Sequence, residues 1–188
     1  MPTELDLERW PRRAHFDFFR GFESPFFNVC AHLDATALWR RSGAPGGPSF
    51  ALACFWLALR AANQQEPFRL RIRGDRVVVH EVIHGGTTAL RDDDTFGFAY
   101  FDFDGDYERF AAGAGRRWRP RAAVGASRTR DHDDGVIHFS VMPWVAFTSI
   151  SHARRFGLAD SVPKVVLGKA LRWPARCGCR SRSRSTTR

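Results

Sequence analysis

The chain has almost no lysine: of its 29 basic residues only Lys164 and Lys169 are lysine, and all others are arginine. Methionine and tyrosine are equally scarce, with two of each. Such a bias is that of a GC-rich coding sequence. No run of about eighteen apolar residues occurs, which excludes a membrane-spanning helix on length alone. The opening Met1-Pro2-Thr3-Glu4-Leu5-Asp6-Leu7-Glu8 is acidic and has no apolar h-region, so no secretory signal is read and a cytoplasmic location is expected. There are four cysteines, of which Cys30 and Cys54 lie in apolar contexts and read as small buried hydrophobes rather than a redox pair. The seven histidines are all single; none belongs to a His-His pair. His132 lies among Asp131, Asp133 and Asp134, but an acidic loop explains that cluster better than a metal site, and none is expected.

What is present is enough for one core. At 188 residues with 44% hydrophobic and 13% aromatic content, a single domain is the default. The net charge of +9 points first to nucleic acid, but six arginines with no acid fall in residues 171–188, and the remainder is only mildly basic.

Periodicity sketches the elements. Trp10 to Phe27 is dense in aromatics. Asp34 is placed to cap a short helix through Ala35–Trp39, and Ser49–Asn63 reads as a largely buried helix. Phe68–Arg73 alternates apolar and basic, Gly74-Asp75 turns, and Arg76–His80 returns, which is a hairpin signal. Further strands are expected at Thr95–Phe103, Ile137–Ser140, Val145–Ile150 and Val162–Lys169. A helix is expected over Tyr107–Trp118, although Gly113 and Gly115 weaken it, and a polar loop over Ala122–Asp134. Helices and strands mix without a regular βαβ period, so the expected class is α/β with a mixed sheet, as a two-layer sandwich.

Phe139-Ser140-Val141-Met142-Pro143-Trp144-Val145-Ala146-Phe147 is the most specific segment. A plain core strand would exclude Pro143, and a solvated loop would not collect these apolar side chains. The segment resembles the S-x-x-P-W-x-x-F signature of the chloramphenicol acetyltransferase family. Other blocks are similar in order: Trp10–Phe16, Leu33-Asp34, Asn63 with Phe68–Ile72, Thr87-Thr88 with Thr95-Phe96, and Pro163–Lys169.

The resemblance implies a coenzyme A-dependent acyltransferase fold, a homotrimer with sites at subunit interfaces, and acetyl-CoA as co-substrate. It implies acetyl transfer to a hydroxyl of chloramphenicol or a similar molecule, with antibiotic resistance as the outcome and no metal. By the same resemblance Ser140 stabilises the oxyanion, Phe18, Phe19, Phe27 and Phe96 pack the aryl ring, and Arg12 and Trp144 are structural. Val166 stands where some members carry a threonine, and Gly21–Pro25 departs from the common pattern near the pocket.

The family also carries a His-His-x-x-x-Asp-Gly motif with the general base, and this sequence contains none. After Lys169 it runs instead into Arg176-Cys177-Gly178-Cys179-Arg180-Ser181-Arg182-Ser183-Arg184-Ser185-Thr186-Thr187-Arg188. Read from the third base of each preceding codon, with GC-rich third positions, residues 177–188 become Val-Arg-Val-Pro-Val-Ala-Val-Glu-Val-His-His-Ala. The hidden frame thus spells an alternating strand that ends in the family's paired histidines. The expectation is a frameshift between about Lys169 and Arg176. It leaves an incomplete acetyltransferase-like domain at 1–170, an aberrant Arg/Ser-rich tail at 171–188, and little activity. Two other readings stay open: weak nucleic-acid binding through the Arg/Ser tail, and a catalytically dead homologue that still binds its antibiotic.

Overall fold

The structure is a computed structural model that describes residues 1–117, 133–153 and 160–172. In chain order its elements are β1 (Thr3–Glu4), α1 (Arg13–Arg20), α2 (Thr36–Ser42) and α3 (Phe50–Asn63). A short 3-10 turn at Glu66–Arg69 leads to β2 (Leu70–Arg73), β3 (Arg76–Val79), β4 (His84–Leu90) and β5 (Phe96–Phe101). The last are α4 (Tyr107–Arg117), β6 (Val136–Val141) and β7 (Lys164–Leu167).

Helix α3 sets the layer arrangement. Leu52, Phe55, Leu59 and Ala62 recur every three or four residues, so they share one face, and all four are buried. That face packs with α4 against a four-stranded sheet in the order β5-β4-β6-β7. The sheet is mixed: β4 runs antiparallel to β5 and parallel to β6, and β6 runs parallel to β7. The core between the layers is aromatic. The Phe55 ring stacks on Phe101 at 5.6 Å and lies 4.7 Å from Phe139, while Phe110 meets Phe101 edge-on. Asn63 ties the end of α3 to the start of β4: its amide donates to the Leu59 and Ile83 carbonyls, and its oxygen accepts from Ile83 N–H.

A second sheet of three antiparallel strands, β1-β3-β2, stands beside the first. Its hairpin turns at Gly74, whose φ of +60° is the left-handed region that favours glycine. Arg71 of β2 is wholly buried and joins this sheet to the start of β6. Its guanidinium donates to the carbonyls of Asp134 (2.6 Å), Phe68 (2.9 Å), Leu70 (2.7 Å) and Val136 (2.8 Å). Burial pushes its pKa down to about 10, against the pull of Asp134 and Asp160, so it stays charged at neutral pH.

The α/β class, the mixed sheet and the two layers match expectation. Local differences have identifiable causes. Phe68-Arg69 is a 3-10 turn rather than strand, because Pro67 has no N–H for the ladder and β2 starts only at Leu70. Val145–Ile150 is not a strand. Pro143 cannot extend the β6 ladder; the chain turns instead, with Val145 N–H donating to Met142 O. Cys30 is exposed, since it lies outside any helix or strand that could carry it inward, and Cys54 is half-buried.

Strand β4 was not foreseen because Gly85-Gly86 argues against a strand interior. The close approach explains it: a Cβ on Gly85 would fall 2.1 Å from Cε2 of buried Phe101. Most of the polar loop expected at Ala122–Asp134 and the tail 173–188, on which the reading-frame argument rests, lie outside the described residues.

Candidate active site

Strand β6 alternates between two environments. Ile137 and Phe139 enter the core, so His138 and Ser140, one position out of phase, face away from it and are half-buried. They open onto a cavity of about 230 Å³. Its lining comes from three neighbouring strands: Gly86, Thr87 and Thr88 of β4, Phe98 and Tyr100 of β5, and Lys164 of β7, with His152 from the segment after β6.

Register explains why these residues meet. Tyr100 pairs with Gly86, Gly86 with His138, and His138 with Lys164, so one continuous row crosses four strands. Ser140 lies one step along, opposite Val166. Thr87 locks the two central strands, its hydroxyl donating to Phe139 O at 3.1 Å. Lys164 is ion-paired with Asp160. His138 is pushed below the usual histidine pKa by burial first, with Lys164, Arg71 and His152 adding to this and Asp160 opposing it.

Of the candidate catalytic, substrate-binding and structural residues taken from the resemblance, Ser140 alone lines this cavity. Phe96 is 57% exposed at the start of β5, where its ring meets Phe98, a cavity residue, edge-on at 5.8 Å. Phe18 and Phe19 lie on α1 and form an exposed cluster with Phe22, with ring centroids 5.1–5.5 Å apart. Phe27 is 86% exposed. Arg12 is exposed just ahead of α1, and Trp144 is exposed on the turn after β6. Sequence reasoning passed over His138, Lys164, Phe98 and Tyr100. A signal existed for three of them: period two from Phe96 reaches 98 and 100, just as period two back from Ser140 reaches 138.

The model of the family described as "Chloramphenicol acetyltransferase" matches residues 2–154. The chain belongs to the chloramphenicol acetyltransferase family. The chloramphenicol acetyltransferase of Streptomyces acrimycini is 28% identical over 176 residues, covering 89% of this chain and 77% of that protein. Chloramphenicol acetyltransferase 3 of Escherichia coli is 25% identical over 158 residues, covering 79% and 70%. A solved chloramphenicol acetyltransferase superposes with a TM-score of 0.80 at 29% identity, covering 92% of this chain and 84% of that one. Enzymes of the family are acetyl-CoA-dependent acyltransferases. No described helix is long and apolar enough to cross a membrane, and no group of His, Cys, Asp or Glu among the described residues could hold a metal.

Proposed function

We propose that this chloramphenicol acetyltransferase-family pocket carries acetyl from acetyl-CoA to a hydroxyl of chloramphenicol or a similarly sized hydroxylated molecule. One observation carries the reading: Ser140, the serine of the S-x-x-P-W-x-x-F segment, opens onto the cavity. Attack of a hydroxyl on a thioester places negative charge on the carbonyl oxygen. A preorganised hydroxyl donor to that oxygen is worth roughly 2.7–4 kcal/mol in related acyl-transfer sites. Phe98 and Tyr100 supply a flat apolar wall suited to an aryl ring.

The family's paired histidines are not in the written sequence. Loss of a general base costs roughly 10²–10⁴-fold, so turnover is expected to be weak. A reading-frame change between about Lys169 and Arg176 is part of this proposal, as are trimeric assembly and a role in antibiotic resistance. The exposed Phe18, Phe19, Phe22 and Phe27 supply apolar surface of the kind a subunit contact would cover.

The test is acetyl-CoA-dependent release of free thiol with and without chloramphenicol. Ser140→Ala should lower the chloramphenicol-dependent rate roughly 10²–10³-fold with the fold intact. An unchanged rate would remove Ser140 from the mechanism. Resequencing the DNA from the Val166 codon past the stop tests the frame: a single inserted or deleted base should restore His-His-Ala-Leu.

A further inference from the structure

We propose that the acceptor this pocket favours is a hydroxylated aryl acid, held with its aromatic ring on the β5 wall and its carboxylate against Lys164 of β7. The inference rests on the reading of the cavity as the acceptor site of acetyl transfer, and it names the class of acceptor. It concerns which molecule is held, not how its proton leaves.

Charge is the first argument. Among the described residues that line the cavity none is Asp or Glu, whereas Lys164 brings an ammonium. Asp160 is ion-paired with Lys164 and also accepts from Val162 N–H at 3.0 Å, but it is not one of the lining residues. The pair therefore presents its cationic member, not its anionic one, to the cavity. An ammonium has three donors, so one carboxylate partner does not exhaust it. The Lys164 side chain is only 17% exposed, so water and salt screen its charge weakly.

The field along the wall agrees. His138, opposite Lys164 in the register, has its pKa lowered by burial first and then by Lys164, whose effect exceeds the opposing one of Asp160. Arg71 and His152 act on the side of Lys164. Positive charge thus outweighs Asp160 at an imidazole that lines the cavity.

Shape is the third argument. The row Tyr100-Gly86-His138-Lys164 crosses four strands set about 4.8 Å apart, so its ends lie roughly 14 Å apart at the backbone. Phe98 and Tyr100 make one end aromatic, and Lys164 makes the other cationic. A Cβ on Gly86 would fall 3.1 Å from the Tyr100 ring and 3.4 Å from His138 Nδ1, so the missing side chain keeps the middle of the row open. An acceptor lying along the row sets its ring on β5 and its anion on β7, with its hydroxyl between them near Ser140 of β6. A neutral acceptor gives the remaining Lys164 donors no charged partner, whereas a carboxylate does.

The experiment is calorimetry on the full chain with two probes of one shape, 3-hydroxy-2-phenylpropanoate and its neutral primary amide, beside chloramphenicol and acetyl-CoA. The carboxylate should bind at least about tenfold more tightly than the amide. Lys164→Met should bring the two affinities together, and Lys164→Arg should keep the preference. Asp160→Asn, which removes the competing carboxylate and keeps the ammonium, should widen it.

Equal binding of the two probes, binding of neither while chloramphenicol binds, or a full preference surviving in Lys164→Met overturns the inference and leaves the acceptor-site reading. A Lys164-dependent preference without acetyl-CoA binding supports the anion site and overturns acetyl transfer. Binding of neither probe and no chloramphenicol overturns both. Should circular dichroism show that Lys164→Met does not fold, Asp160→Asn decides: a wider preference supports the inference, and an unchanged one overturns it.

Discussion

Arg71→Met is the most informative test of how the pocket is held. The wholly buried guanidinium spans from β2 to the start of β6 through four hydrogen bonds to carbonyl oxygens. Methionine fills a similar volume but donates nothing, leaving four acceptors short of a partner. Hydrogen bonds to a charged group contribute roughly 1.5–3 kcal/mol each. Opposing that loss is relief of the cost of burying the cation, which is several kcal/mol per ion.

The net destabilisation expected is about 3 kcal/mol. For a chain of this length that lowers Tm by roughly 6–12 °C. Arg71→Lys keeps the charge but not the planar five-donor fork, and should fall between the two. The assay is urea and thermal unfolding followed by tryptophan fluorescence, with thiol release beside it. A Met variant within about 0.5 kcal/mol of wild type would show that β6 is positioned by core packing alone and refute the reasoning.

Three other outcomes are expected. Gly85→Ala forces a methyl against the buried Phe101 ring and should cost roughly 1–3 kcal/mol in a urea melt, whereas Gly105→Ala, whose Cβ would meet nothing, should stay close to wild type. Asp134 is held below the ordinary carboxylate pKa chiefly by its hydrogen bond from Arg73, and His80 is lowered by burial. Both shifts give stability that is present above the ordinary values and lost as pH falls through the folded ones; Asp134 itself raises the His80 pKa, so Asp134→Asn keeps the histidine part, and unfolding midpoints should drop more steeply for wild type only below pH 3.8, the ordinary aspartate value. RNA retention that weakens with salt should be slight and should vanish on deletion of 171–188; retention independent of the tail would show that the folded part binds nucleic acid.

Much was legible before any coordinates. The S-x-x-P-W-x-x-F segment, the ordered blocks around it and the hydrophobic face of α3 pointed to the family and to a two-layer α/β fold. These are local patterns: period, turn chemistry and residue spacing act over a few residues and can be read along the chain. Ser140 could be named for that reason.

The row Tyr100-Gly86-His138-Lys164 could not. Its members come from four strands up to 78 positions apart in the numbering, from Gly86 to Lys164, and register alone aligns them. The glycines of β4 argued locally against a strand, and only the Phe101 ring packed on Gly85 turned that deficit into a fit. The burial of Arg71 was likewise invisible, since Phe68–Arg73 reads as an alternation with its arginines in solvent. Two of the four carbonyls that partner the buried charge, those of Asp134 and Val136, come from a distant segment. Sequence by itself determined the family and the candidate oxyanion donor; tertiary structure decided which side chains of β4, β5 and β7 stand around it, because strand pairing, not chain order, sets neighbours across a sheet.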